Sequence, residues 1–470
     1  MTMAAQRAAE HAAAEIVARL RSHEHQAYFV GGCVRDLLLG REPADFDVAT
    51  SARPEQVLAL FERSFAVGAQ FGVVLVASAA AEAGGELSDS PEILTEIATF
   101  RNDHGYSDGR RPDSVAFSSR AQEDVERRDF TINGLLLDPD RLAELRLAGE
   151  TGRMSDAVLD FVGGVRDLTL GVVRAIGDPR LRFAEDKLRL LRAVRFAARF
   201  EFALDPATAA AMREQAAAIG QVSRERVRDE LTRMLTEGRA RRAFELLDQT
   251  GLLAQVLPEV ARMKGVSQPP QFHPEGDVWA HTLLLLEQLP EGCAPELAWG
   301  ALLHDVGKPP TFRQAPDRIR FDRHVEVGAR IAQEIFRRLR FSNSATGQIL
   351  SLIENHMRFG DVEKMKESTL RRFFRLPEFD QHLALHKMDC LASHGSLDCY
   401  RFAQERFASL SREQVRPALL VTGKDLIAAG YRPGPEFKKM LALAEDAQLE
   451  GRIQSRDEGL ALIQAAGGLR

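Results

Sequence analysis

Two aspartates one residue apart, Asp45 and Asp47 in DFDVAT, follow shortly after a glycine pair, Gly31-Gly32 in YFVGGCVRDLLLG. On a strand, residues i and i+2 face the same side with roughly 7 Å between their α-carbons, so both carboxylates can converge on one metal site. Mg²⁺ takes oxygen ligands at about 2.1 Å and usually sits between carboxylates and substrate phosphates. A pair of such ions about 4 Å apart activates an attacking hydroxyl and steadies a leaving pyrophosphate. The chemistry implied is phosphoryl transfer. The glycines fit it: Val30 ends an apolar strand, and the pair opens a short apolar helix whose first amides can come close to a phosphate. Alone, the glycine pair is an ordinary turn, and Asp45-Phe46-Asp47 an edge strand with solvated acids and Phe46 in the core. Their combination favours a site. Glu96, in EILTEIATF, offers a third carboxylate, although a solvated strand face explains it equally well.

A second cluster, ERRDFTINGLLLD, holds Arg127, Arg128, Asp129 and Asn133. On pattern alone it is a helix start with Asp129 at the N-terminus. A third lies in GDPRLRFAEDKLRLLRAVRFAARF, where Arg182, Asp186 and Arg189 fall at i, i+4 and i+7 and so share one face of an expected helix, with Leu188, Leu191 and Val194 on the other. Surface ion pairing worth a few tenths of a kcal/mol accounts for that spacing. A sharper reading is that arginine donors beside aspartate acceptors present an edge able to pair with a base. Arg192, Arg195 and Arg199, with Arg224, Arg226, Arg228 and Arg233, form a basic face that can guide an RNA backbone, though each stretch also reads as a solvated helix.

These strings carry a resemblance. GGCVRDLLLGREPADFDVAT resembles the first motif of the class II tRNA nucleotidyltransferase and bacterial poly(A) polymerase family, within the polymerase-β-like nucleotidyltransferase fold. The resemblance implies that Asp45 and Asp47 are the catalytic Mg²⁺ ligands and that Gly31 and Gly32 form a phosphate cradle, with Arg35 and Asp36 beside it. ERRDFTINGLLLD resembles the second motif, which implies that Arg128 and Asp129 contact ribose and triphosphate, with Asn133 in the nucleotide-binding set. Glu185, Asp186 and Arg189 match the family's EDxxR motif, which implies that Asp186 and Arg189 select CTP or ATP in place of a template; Arg192 and Arg195 join the nucleotide-binding set. Asp108, Gly109, Arg110 and Arg111 resemble the family's flexible loop, and a solvated hairpin tip fits them equally. The resemblance covers about residues 25 to 260. SFAVGAQFGVVLV is closer to the tRNA branch's Val-Gly-x-x-His-Gly-Thr than to the polyadenylating branch, but Phe71 and Val73 replace the His and Thr, which leaves room for CC-only or A-only addition.

Eight of the twelve histidines lie between His273 and His394, in otherwise helical sequence, and that enrichment calls for a reason. Imidazoles and carboxylates from separate helices suit Mn, Fe, Ni, Co or Zn. The order resembles the HD phosphohydrolase superfamily, which implies one metal at His281, His304, Asp305 and Asp389. His324 and His356 match variants holding two metals, and Lys308 is placed to touch a phosphate. Hydrolysis of phosphate esters, such as 2′,3′-cyclic phosphates or 2′-nucleotides, is the implied activity; a helical RNA-binding body is the alternative.

The elements that must position these residues follow from periodicity. Residues 28 to 138 alternate short apolar runs with turns, as a small mixed sheet with helices would, and residues 79 to 92 read as a loop. From about residue 180 the period is helical. At 470 residues, 45% hydrophobic and 28% charged, the chain is a folded multidomain protein. We expect an α+β architecture: a nucleotidyltransferase head with a mixed sheet (1–140), an all-α body for nucleotide selection and RNA binding (141–262), a helical HD metal domain (263–411) and a small helical tail (412–470). The proline-rich residues 263–277 mark the main boundary, and Lys424, Lys438 and Lys439 in the tail are candidate RNA contacts. The net charge of −6 conceals a local excess, seven basic side chains between Arg180 and Arg199 against Glu185 and Asp186. The scattered Cys33, Cys293, Cys390 and Cys399 argue for reduced thiols. Charges interrupt every apolar stretch, so a cytoplasmic protein without membrane association is expected. The expected partners are a tRNA 3′ end, CTP and ATP, with the oligomeric state left open. Rival readings are a poly(A) polymerase, a metal phosphohydrolase whose first half only binds RNA, and a structural RNA-binding protein.

Overall fold

Alternating apolar runs become strands because one face of each can be buried while turns absorb the polar breaks. The computed structural model describes residues 3–78, 92–105, 114–271 and 273–467. Its strands in the first part are β1 (Ala27–Val30), β2 (Asp47–Thr50), β3 (Ser64–Gly68), β4 (Val73–Ser78), β5 (Ile93–Thr99), β6 (Arg101–His104), β7 (Ser114–Phe117), β8 (Leu135–Leu137) and β9 (Val158–Asp160). Seven form one mixed sheet in the order β3-β4-β5-β2-β1-β8-β9, and β6 and β7 pair separately. The β2–β5 pair is parallel, while β1 runs antiparallel to both β2 and β8. Phe29, Val48 and Leu135 to Leu137 are fully buried in its centre. The helix Met3–Ser22 packs Ala13, Val17 and Leu20, spaced four and three residues apart, against β1 and β5.

Two compact units divide the chain: Met1–Met234 with Arg242–Val256, and Leu235–Arg241 with Leu257–Arg470. The first holds the sheet and the arginine-rich helices; the second holds the histidine-rich helices. The change of unit falls at 235–257, and residues 263–277 lie inside the second unit. Short two-residue and three-residue strand pairs also occur beyond residue 138, at Val172–Val173 with Ala203–Leu204 and at Phe312–Gln314 with Ile319–Phe321.

One expectation fails. Arg182, Asp186 and Arg189 do not share a helix face, because one helix spans Pro179–Glu185 and the next begins at Arg189, with Asp186 extended between them (φ −138°, ψ 107°). The cause is local: the Asp186 carboxylate accepts from the Leu188 N–H at 3.0 Å, the competition with helical hydrogen bonding that short acidic side chains offer.

In the second unit, Trp299 meets Phe336 and Phe341 edge-on, and Phe359, Phe373 and Phe379 form a neighbouring cluster. The tail has its own small core around Leu426, Ala447 and Ile463. Gly307, after the His304-Asp305 pair, touches Gly328; a β-carbon on Gly307 would overlap the His324 carbonyl and the Gly328 backbone. That close approach brings the helix beginning at His324 onto the His-Asp turn. Among the described residues no helix is long and apolar enough to cross a membrane.

Candidate functional site

At the end of β1, Gly31 adopts φ 77° and ψ −123°, a backbone state that side chains disfavour, and turns the chain into the helix Gly32–Leu38. Val30 pairs with Asp47 across β1 and β2, so the glycine turn lies at the carboxylates. Asp47 opens β2, whereas Asp45 precedes the strand and is exposed; Phe46 between them is buried against Phe29, ring centroids 5.4 Å apart. Parallel pairing of Val48 with Ile97 places Glu96 beside Asp47 on the same face. Asp45, Asp47 and Glu96 line one cavity of about 750 Å³. Gly31, Gly32 and Arg35 reach it from the first motif, Arg128, Asp129 and Asn133 from the second, and Asp186, Arg189, Arg192 and Arg195 from the third. Asp108, Gly109, Arg110 and Arg111 lie outside the described residues.

The cavity's electrostatics are polarised. Burial, with the negative charges of Asp45 and Glu96, pushes the Asp47 carboxyl up to about 7 against the pull of Arg128, and burial with Asp45 raises Glu96 as well. Carboxylates crowded so that Asp47 and Glu96 resist ionising are the donor set that a hard divalent cation relieves. Opposite them, Asp124, fully buried, accepts from Arg127 Nε and Nη2 (2.9 and 2.6 Å) through one oxygen and from Arg128 Nε and Nη2 (3.2 and 2.8 Å) through the other, which fixes both guanidinium forks.

A relay of hydrogen bonds and ion pairs runs along the cavity wall. Arg35 donates to Asp36 (2.8 Å) and to Asn133 Oδ1 (2.7 Å); Asn133 donates to Asp129 (3.1 Å); Arg192 donates to the other Asp129 oxygen (2.8 Å). Burial would raise Asp129, but Arg192, Asn133 and Arg189 together bring it down to about 2. Asp186 and Arg189 do not bind each other: Asp186 is held by Arg226, and Arg189 by Glu185 and the carbonyl of Arg182 (3.0 Å). Arg195 is buried and ion-paired with Glu230 (2.7 Å), so it does not belong to an exposed basic face.

In the second unit, five helical segments deliver the predicted ligands to one place. His281 Nε2 lies 3.1 Å from Asp389 Oδ1 and 3.3 Å from His304 Nε2, and His304 Nε2 lies 3.2 Å from Asp305 Oδ2. The other Asp305 oxygen lies 3.9 Å from both His324 Nε2 and His356 Nε2. Asp305 therefore bridges two groups able to hold a metal ion, His281-His304-Asp305 and Asp305-His324-His356. Each imidazole has its Nδ1 tied down: His281 to Glu275 (2.8 Å), His304 to the Ala301 carbonyl (2.9 Å), His324 to that of Phe321 (3.0 Å) and His356 to that of Ile353 (2.7 Å). The proton is thereby placed on Nδ1, and at His304, His324 and His356 the Nε2 lone pair faces inward. Asp305 Oδ1, His324 Nε2 and His356 Nε2 are buried without a hydrogen-bond partner, which fits a role as metal-ligand atoms. Burial and His304 lower His356 to about 4, which keeps it neutral. His281 is drawn up to about 9 against burial, by Asp389 and Glu275, so proton and metal compete there.

The sequence matches the poly(A) polymerase head domain over residues 27–174, the domain described as "probable RNA and SrmB-binding site of polymerase A" over 201–264, and the HD domain over 277–387. The CCA-adding enzyme of Levilactobacillus brevis is 30% identical over 437 residues, which cover 93% of this chain and 92% of that protein. The chain belongs to the CCA-adding enzyme family. The Lactobacillus helveticus CCA-adding enzyme is 40% identical over a shorter stretch of 267 residues, 56% of this chain and about 60% of that protein's length. Among solved structures, the Bacillus stearothermophilus CCA-adding enzyme in complex with CTP superimposes with a TM-score of 0.71 at 27% identity, covering 97% of this chain and 96% of that one.

Within this CCA-adding enzyme family member, Asp124 and Glu275 escaped the motif reading, and Arg226 entered it only as part of the basic face, not as the partner of Asp186. Asp124 sits three and four residues before the paired arginines, and that helical spacing was the available signal. Arg226 and Glu275 left no local signal, because their partners Asp186 and His281 are met through tertiary folding or a loop excursion.

Proposed function

We propose that this chain is a CTP- and ATP-dependent tRNA nucleotidyltransferase that adds CCA, or part of it, to tRNA 3′ ends without a nucleic-acid template. The observation that carries the reading is the convergence of Asp45, Asp47 and Glu96 with Asp186 and Arg189 on one cavity. In the reaction the RNA 3′-hydroxyl attacks the nucleotide α-phosphate in line and pyrophosphate leaves. Asp45 and Asp47, with Glu96 beside them, would hold Mg²⁺, which when bound would neutralise charge and activate the hydroxyl. Gly31 and Gly32 leave backbone room for the phosphates, and Arg128, fixed by Asp124, faces their charge. Asp129 and Asn133 hold the ribose side, Arg35 stands beside the phosphate cradle, and Asp186 with Arg189 offers acceptors and donors to the base edge. The names of the Levilactobacillus brevis and Bacillus stearothermophilus relatives, and the CTP bound to the latter, support CCA addition over polyadenylation. Residues 1–140 serve as catalytic head, 141–262 as selecting and RNA-binding body, 263–411 as metal domain and 412–470 as tail, in the cytoplasm.

The test supplies purified protein with tRNAs ending at the discriminator base, after C, or after CC, with CTP and ATP separately and together. Incorporation by the parent chain and its abolition in Asp47→Ala is expected; no incorporation on any substrate refutes the reading.

The orphaned ligand atoms of Asp305, His324 and His356 favour a second activity, metal-dependent hydrolysis of phosphate esters at the histidine cluster. One or two divalent transition metals fit its mixed imidazole and carboxylate donors. Asp305→Ala removes this hydrolysis and spares incorporation; joint loss of both activities contradicts two independent sites.

A further inference from the structure

The proline-rich segment 263–277 is closed on itself: the Val278 N–H donates to the Val266 carbonyl (3.0 Å) and the Gln268 N–H to that of Gly276 (3.2 Å). It carries Glu275 behind His281 and Gln268 beside Lys308. Gln268 is 3% exposed and Lys308 6%. The Lys308 ammonium donates to Asp305 Oδ2 (2.6 Å) and to Gln268 Oε1 (2.7 Å). An ammonium has only protons to offer, so the Gln268 amide must turn its oxygen toward Lys308 and its nitrogen away. That nitrogen, Nε2, is buried and meets no acceptor.

A buried amide donor without an acceptor is costly to maintain. This one belongs to an amide whose oxygen is held by Lys308, and Lys308 is held in turn by the carboxylate shared by both metal-ligand groups and lies over the Phe321 ring. A cation and an unspent donor side by side define a place for an anionic oxygen. We propose that Gln268 Nε2 joins Lys308, the lysine already expected to touch a phosphate, in taking a non-bridging oxygen of the phosphate ester hydrolysed at the histidine cluster; this rests on the phosphohydrolase reading.

The probe is inorganic phosphate, titrated calorimetrically into the full-length chain loaded with Mn²⁺, with the Asp305→Ala titration subtracted as the contribution of the rest of the molecule. Gln268→Glu keeps an acceptor for Lys308 but replaces the free donor with an oxygen, and Gln268→Leu removes both. Each is expected to weaken phosphate binding at least about tenfold, the usual loss for a hydrogen bond to a charged group, with bound Mn²⁺ unchanged. Equal affinity in the parent and both variants overturns this role, as does phosphate binding by the parent no tighter than by Asp305→Ala; a water then satisfies Gln268. Undiminished Mn²⁺ binding by Asp305→Ala overturns instead the phosphohydrolase reading beneath it.

Discussion

Arg226 and Asp186, forty residues apart, meet in a two-pronged ion pair, Nη2 to Oδ2 at 2.7 Å and Nη1 to Oδ1 at 3.3 Å. The guanidinium fork fixes the plane of a carboxylate that has no helix to hold it, since Asp186 lies in the break between two helices. If Asp186 reads the base edge, Arg226 sets the angle at which it does so. Arg226→Ala is expected to reduce the ratio of CTP to ATP kcat/KM about tenfold at the step that takes CTP. Equal loss for both nucleotides in steady-state kinetics would mean that Arg226 only supports the fold.

The raised Asp47 carboxyl predicts a pH-dependent stability. Its value climbs from the ordinary 3.8 to about 7 on folding, so the folded chain holds a proton that the unfolded chain releases. Without divalent metal, that stabilisation is complete below about pH 4 and is lost as pH rises through 7, on the order of 2–4 kcal/mol. Denaturant titrations in chelator at pH 5 and pH 8 should show the loss, and Asp47→Asn should flatten it. Because proton and metal compete, Mg²⁺ affinity should rise about tenfold per pH unit up to 7 and level off above it.

Asp124→Ala leaves Arg127 and Arg128 without the carboxylate that holds both forks. Breaking a buried ionic cluster from one side costs about 3 kcal/mol or more. The variant should unfold at lower denaturant and, where still folded, show a raised KM for nucleotide, because Arg128 loses its aim at the cavity. A KM unchanged within twofold would dissociate Arg128 from nucleotide binding.

Glu275→Gln should weaken metal binding at the histidine cluster by about 10- to 100-fold, the usual effect of losing the carboxylate that orients a ligating imidazole. Nucleotide incorporation should be unaffected. Metal titration of the full chain, with Asp305→Ala as the baseline, distinguishes this from a purely packing role, which would leave affinity intact.

Much of both sites is local in the chain, and local patterns survive in sequence. The Gly31-Gly32 turn, the Asp45-x-Asp47 spacing and the His304-Asp305 pair each depend on neighbours within a few residues, so residue type and spacing pointed to a phosphate-handling head and, with the resemblance to the HD superfamily, to a helical domain expected to bind metal. Glu96 was ambiguous until the parallel register of β2 and β5 placed it beside Asp47, because strand pairing across roughly fifty residues leaves no periodic trace. The helical spacing of Arg182, Asp186 and Arg189 suggested a shared face that the Asp186 side chain breaks by capping its own backbone. Tertiary structure alone decided that Arg226 holds Asp186, that Arg195 is spent on Glu230, and that the proline-rich segment turns Glu275 and Gln268 onto the histidine cluster. Hydrogen bonds and ion pairs reach only about 3 Å, so which distant polar groups meet is fixed by how the helices and strands pack.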